Sequence, residues 1–321
     1  MGALVEISVV VPCFNEEANV RQIHAAVREQ LEAHATDWEI IFIDNASADA
    51  TRSLMRELCA TDGRTRAIFN TRNFGQMRSP TYGIYQANGA AVIAMSADFQ
   101  DPPALIGPFI EAWRRGAKIV LGQPRAVPVG PIATAISKCG YWFLSRFGDY
   151  PVIPRVTGFG LFDRAVVREL MRWNEPEPFF RGMLVESGHA MELVPFDKPE
   201  RQAGETKNNF FTLLDFALSS LSGSAKRLLR VPLYVAVLGS MLALLIFMGG
   251  LAAIFLADGL AAPMLTVAIL LGLFSMLMLF IGVLGEQVRQ IAERSRSVPL
   301  VIEAERIGFP AQGGQPESGA R

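Results

Sequence analysis

The chain has 321 residues, 50% of them hydrophobic, and a formal charge of −1 at pH 7. Near-neutral charge argues against a nucleic-acid protein, because neutralising many phosphates needs a basic face. Cys13, Cys59 and Cys139 are scattered and His24, His34 and His189 are isolated. That pattern suggests free thiols in a reducing compartment and makes a zinc site a poor expectation.

The opening "MGALVEISVVVP" has no basic stretch and carries Glu6 early, so it is expected to be a first strand and not a leader. Apolar runs follow at Ile7–Val11, Glu39–Ile43, Ala67–Phe69, Ala91–Met95 and Lys118–Gly122. Unbroken runs of this length belong to strands covered on both faces. Between them lie helix-forming stretches at roughly 17–33, 49–60, 76–88 and 103–115. Strand alternating with helix predicts an open, mostly parallel, Rossmann-like α/β sheet that collects ligands beyond the carboxyl ends of its strands. The first strand ends in "PCFNEE" and not in GxGxxG, which disfavours a dehydrogenase.

Residues 123–208 are less regular, broken by "QPRAVPVGP", "GDYPVIP" and "EPEPFF", and read as a loop-rich half that completes a site. "MRWNE" (Met171 to Glu175) reads as a helix end. The segment 209–230 has an apolar stripe through Phe211, Leu214, Leu218 and Leu221 with serines opposite, the pattern of a helix lying in a membrane interface. Two uncharged runs follow, 231–256 and 262–285, each long enough to cross about 30 Å of hydrocarbon with roughly 20 apolar residues. Lys226, Arg227 and Arg230 precede them; Arg289, Arg294 and Arg296 follow, and the linker holds no basic residue. The positive-inside rule then puts the 1–208 domain, the 287–321 tail and both termini in the cytoplasm.

The chemistry concentrates in "MSADFQDPP", Met95 to Pro103. On an extended strand Ser96, Asp98 and Gln100 would share one face. Oxygen donors of this kind suit Mg2+ or Mn2+, cations that ride on substrate phosphates. Asp101, ahead of Pro102 and Pro103, is explained equally by helix capping. The stretch alone leaves the metal open.

Three further stretches bear on it: "VVVPCFNEEANV", "FIDNASADAT" and "RNFGQMRSPTYGIYQANGAAVIAMSADFQDPP". With "VTGFGLFDRAVV", "FFRGMLVESG", "ERQAGETKNNF" and the tail "GEQVRQIAERSRSVPLVIE", they stand in the order and spacing of glycosyltransferase family 2. The chain most resembles the polyprenyl-phosphate glycosyltransferases, the dolichol-phosphate mannose synthase-like group with two C-terminal transmembrane helices. The resemblance implies a GT-A fold and transfer, with inversion, of a sugar from a nucleotide diphosphate to a polyprenyl phosphate such as undecaprenyl phosphate. It favours a UDP-sugar and a bacterial cytoplasmic membrane, with the product used in cell-envelope or protein and lipid glycosylation.

By the same resemblance, Pro12, Phe14 and Glu16 lie against the nucleotide and Asp44 recognises the base. Asp98 binds the metal through the diphosphate, with Gln100 as a further ligand and Ser96 as a weak one. Arg201 and Lys207 serve the donor and acceptor phosphates, and Arg125 and Arg181 are further candidates for the acceptor phosphate. Ser96 stands where the family usually has an aspartate, Asn45 where a second acid often follows Asp44, and Lys198 where an arginine is common. These departures motivate an alternative, a weak or inactive membrane-anchored scaffold that binds a nucleotide sugar. A polysaccharide synthase is disfavoured because no QxxRW is present. Expected partners are the donor, the acceptor, the bilayer, a second copy of the chain and a separate flippase for the product.

Overall fold

The computed structural model describes residues 5–125, 156, 158–176, 178–199 and 299–309, with single positions between 266 and 291. The chain divides into two compact units, one of residues 1–128, 153–207 and 299–321, the other of 129–152 and 208–298.

The first unit is built on one eight-stranded sheet. Its strands are β1 (Ile7–Cys13), β2 (Trp38–Asp44), β3 (Thr65–Asn70), β4 (Ala91–Ala94), β5 (Ile119–Pro124), β6 (Gly160–Asp163), β7 (Met191–Phe196) and β8 (Glu303–Ile307). Their spatial order is β7-β5-β6-β4-β1-β2-β3-β8. Pairings β1–β2, β1–β4, β2–β3 and β5–β7 are parallel, while β6 and β8 run against their neighbours. The expected open, mostly parallel sheet is therefore present, with β6 inserted between β4 and β5 and β8 closing the far edge.

Alternation along the strands sends side chains to opposite faces. Val9 and Val11 of β1 pack with Val20, Ile23, Val27 and Leu31 of α1 (Val20–His34), Met55 and Leu58 of α2 (Thr51–Thr61), and Phe109 and Ile110 of α4 (Ile106–Arg114). Val10, Ile41 and Ile43 pack on the other face with Ile84 of α3 (Gly75–Gln86), Val166 and Leu170 of α5 (Arg164–Arg172) and Leu184 of α6 (Phe180–Glu186). Packing, not capping, holds α1. It has no side-chain cap hydrogen bond, a feature worth about 1 kcal/mol, whereas burying its four aliphatics contributes several times that at about 1.5–3 kcal/mol each. α3 approaches the sheet closely at Gly83, where an added Cβ would stand 2.8 Å from Val10 Cγ1.

Strand β8 was not expected from the sequence, which set 287–321 apart as a tail. It pairs antiparallel with β3, and the Thr71 N–H donates to the Ile302 carbonyl at 2.9 Å. Arg56 pairs with Glu305 across 249 residues of chain, and Arg78 donates to the Pro299 carbonyl at 2.7 Å. The loop-rich half also supplies β6, α5, α6 and β7, and α5 ends at Arg172 as "MRWNE" suggested.

In the second unit the described positions are helical. Leu270, Leu277, Phe280, Leu284, Val288 and Ile291 are exposed at spacings that place them along one helix face. The interfacial helix 209–230 and the first span lie outside the described residues, and the second span is described at single positions only. Among the described residues no helix is long and apolar enough to cross a membrane.

Candidate active site

The chain leaves β1 for β2 and β3 on one side and returns for β4 on the other. The carboxyl ends of β1 and β4 thus flank a topological switch point, where open α/β sheets bind ligands. Two loops border that crevice, 14–19 after β1 and 95–102 after β4.

The first is laced to the β2–α2 turn. Asn15, at φ 55, donates its N–H to Ser47 Oγ at 2.9 Å and accepts from the Ala48 N–H at 2.8 Å. The Glu16 N–H donates to Thr51 Oγ1 at 2.8 Å, and Glu16 Oε2 accepts from Asn19 Nδ2 at 2.7 Å. Pro12 is the penultimate residue of β1, and Phe14 opens the loop, both half-buried.

Asp44 ends β2 with its side chain wholly enclosed. Its carboxylate accepts from the N–H groups of Ala46 at 3.1 Å and Ser47 at 3.2 Å. Arg52 Nε lies 3.4 Å away, a charge contact without hydrogen-bond alignment. Burial pushes the Asp44 carboxyl above its ordinary range, and the Ser47 bonds and the Arg52 charge only partly offset that. In this geometry the acid is turned into its own loop. Sequence reasoning missed Arg52, which also stacks 5.3 Å from the Phe69 ring centroid; nothing but its place in the fold distinguishes it from a surface arginine.

The second loop does not continue as a strand. β4 stops at Ala94, and Phe99 takes φ 60, the left-handed region a side chain rarely adopts. The expected alternation of Ser96, Asp98 and Gln100 is replaced by a closed turn. Ser96 Oγ donates to Asp98 Oδ1 at 2.8 Å, and the Gln100 N–H donates to the same oxygen at 3.2 Å. Asp101 does not cap the following helix, which has no side-chain cap; its Oδ2 accepts from the Ser96 N–H at 2.8 Å and closes the turn from behind. Burial raises the Asp101 carboxyl, the Asp98 charge adds to that, and the Lys198 charge opposes it.

Of the remaining candidates, Arg125 follows β5 and pairs with Asp197 after β7 at 3.0 Å, both exposed. Arg181 on α6 donates to the Val156 carbonyl and stacks over Phe179 at 5.1 Å. Arg201 and Lys207 lie outside the described residues. Among the described residues no three of His, Cys, Asp and Glu gather as a metal cage. The donor set still fits a cation that brings its own oxygen ligands. Asp98 and Gln100 are hard donors on one turn at the crevice, suited to a metal carried by a diphosphate and its waters.

The chain matches the model "Glycosyl transferase family 2" over residues 8–171. It is 30% identical over 313 residues to the uncharacterized glycosyltransferase YkcC of Bacillus subtilis (strain 168), covering 96% of each chain. It is 32% identical over 306 residues to the bactoprenol glucosyl transferase of Shigella phage SfV, covering 92% of this chain and 97% of that one. Among solved structures it is similar to glucosyl-3-phosphoglycerate synthase from Mycobacterium tuberculosis in complex with Mn2+, UDP and glucosyl-3-phosphoglycerate. That likeness has TM-score 0.50 and 14% identity, covers 68% of this chain and 78% of that chain, and speaks for the fold.

Proposed function

The chain belongs to glycosyltransferase family 2 and is a glycosyltransferase, and from that premise we propose that it moves a sugar from a nucleotide diphosphate to a polyprenyl phosphate. The observation that carries this reading is the near full-length match to bactoprenol glucosyl transferases, joined to a carboxylate turn at the switch point of the sheet. Uridine is the favoured nucleotide.

The chemistry asks little of the protein beyond placement and charge. The acceptor phosphate has its second ionisation near pH 6, so its oxygen is already a nucleophile at pH 7 and no strong base is needed. That oxygen attacks the anomeric carbon, the bond to the diphosphate breaks, and the nucleoside diphosphate leaves with the electron pair. Configuration at the anomeric carbon inverts. The two loops align donor and acceptor, which removes much of the entropic barrier. Asp98 and Gln100 would hold Mg2+ or Mn2+, which when bound neutralises charge growing on the leaving diphosphate. Arg201, Lys207, Arg125 and Arg181 are the candidates to hold phosphate oxygens, arginine doing so bidentately.

The acceptor's tail must stay in lipid, so the segment 208–298 is read as a membrane anchor on the cytoplasmic face. What supports an even number of crossings is the return of the chain: β8 lies in the same sheet as β3. The test is a panel of labelled nucleotide sugars with membranes and polyprenyl phosphate, read by the mass of the glycolipid. A sugar-phospholipid product from one donor is the expected result. Nucleotide binding with no glycolipid from any donor would instead favour a sugar-nucleotide-binding scaffold.

A further inference from the structure

Asn45 follows Asp44 where β2 ends, and it is buried, at 7% exposure. Its backbone N–H donates to the Cys13 carbonyl at 2.9 Å, tying it to the end of β1. Its side chain is saturated. Oδ1 accepts from the Phe74 N–H at 2.8 Å and from Asn70 Nδ2 at 3.3 Å. Nδ2 donates to Asn73 Oδ1 at 2.8 Å and to the Gly75 carbonyl at 3.2 Å. All four bonds go to residues 70–75, the connection between β3 and α3. Two further bonds brace the same segment, Gly75 N–H to Asn73 Oδ1 at 2.8 Å and Asn70 Nδ2 to Ser79 Oγ at 3.0 Å.

We infer that Asn45 is a positioning residue that locks the β3–α3 loop beside the donor crevice, and that only an amide can do it there. The reason lies in the donor count. Asn73 Oδ1 and the Gly75 carbonyl are both acceptors, and they face the Asn45 NH2 group. A carboxylate of the same shape would set oxygen against oxygen at 2.8 and 3.2 Å. Flipping the Asn73 amide would relieve one contact but would turn an NH2 toward the Gly75 N–H, which it now accepts from. An unpaired buried polar group carries its full desolvation cost. The loop so held carries Arg72, stacked 4.0 Å over the Phe74 ring, and leads into the first turn of α3, where Arg78 bonds the Pro299 carbonyl. Asn45 thus joins the ends of β1 and β2, the start of α3 and, through Arg78, the returning C-terminal segment. Where the resemblance led one to expect a second acid, the chain carries a bracket for a loop.

The inference rests on the donor reading above for its kinetic arm and on geometry alone for its other arm. Full-length protein in detergent is compared as wild type, Asn45→Asp and Asn73→Asp. Asn73 uses its side-chain oxygen as an acceptor for both of these partners, so Asn73→Asp should be mild while Asn45→Asp is not. Limited trypsin digestion should cut Asn45→Asp after Arg72 and Arg78 about tenfold faster, with the other sites unchanged. The KM for the nucleotide sugar should rise about tenfold in Asn45→Asp, with kcat within about threefold, as expected for lost ground-state placement. Asn45→Ser, which keeps one donor and one acceptor, replaces Asn45→Asp if the latter does not fold, with the same expectations. Equal protection and equal KM across the variants would overturn the inference, as would an acceleration spread evenly over all tryptic sites. If wild type transfers no sugar, the function reading fails, and the digestion still decides whether Asn45 holds the loop.

Discussion

At the scale of single residues the site is legible in part. Oxygen donors gathered after an apolar strand point to a polar site, and the structure brings Ser96, Asp98 and Gln100 together on the one turn that follows β4. Ser96 could not be placed from sequence, because β4 stops at Ala94 and the chain turns there, so strand alternation does not extend to it. Its hydroxyl donates to Asp98, so it orients the acid that it was expected to stand beside as a ligand. Asp98→Ala should lower the transfer rate by about 10²–10³, the loss seen when a comparable electrostatic stabiliser is removed; initial rates against Mg2+ and Mn2+ check this. Near-wild-type activity in that variant, or indifference to chelator, would sink the metal assignment. Ser96→Asp, assayed in the same titration, should lower the metal concentration for half-maximal rate without raising the maximal rate, since tighter ground-state binding leaves the barrier unchanged. An unchanged metal requirement would show that residue 96 acts through its hydrogen bond alone.

At the scale of elements, β1 to β5 and α1 to α4 were readable because a sheet buried on both faces writes unbroken apolar runs. Strands β6 and β8 were not. β6 begins with Gly160 and is held by neighbours on both sides, and β8, "EAERI", has no apolar run. Each exists through pairing with distant chain, which no local pattern reports. The close approach at β6 gives a direct test. A Cβ on Gly160 would stand 2.3 Å from the Val120 carbonyl oxygen, so Gly160→Ala should destabilise by about 1–3 kcal/mol, read as a lower melting temperature in detergent. Asp163 makes a second test. It caps α5 by accepting from the Ala165 N–H, and it also takes bonds from Trp113 Nε1 and Lys118 Nζ, both at 2.9 Å. Burial raises its carboxyl, but these bonds outweigh that and leave it below the ordinary carboxylate value. The folded state therefore favours the charged form. Its stabilisation is present above the unfolded value, near pH 4, and is lost as pH falls through the lower folded value. Asp163→Asn should melt about 2–4 °C below wild type at neutral pH, with the gap closing below about pH 4. A gap that does not depend on pH would mean that shape, not charge, matters at this cap.

At the scale of the whole molecule, the strand that closes the sheet comes from the far end of the chain. Removing residues 299–321 should leave the β3 edge unpaired and deprive Arg56 of Glu305 and Arg78 of the Pro299 carbonyl. An open strand edge invites pairing with other chains, so the truncated protein should elute from size exclusion as larger species and melt earlier. Unchanged elution and melting would show that β8 is ornamental to the fold. The late arrival of β8 also sets a timetable. Arg56 and Glu305 are 249 residues apart, and at about 5–20 residues per second of synthesis the first waits on the order of ten to fifty seconds for the second. Throughout that interval the nascent domain carries an unfinished edge while 208–298 leaves the ribosome. If that segment is threaded into a bilayer an odd number of times, β8 emerges on the wrong side and can never reach β3. On the proposed reading of that segment as a membrane anchor, pairing of β8 with β3 would therefore act as a check on insertion, since the sheet would be finished only where the chain had returned to the side it started from.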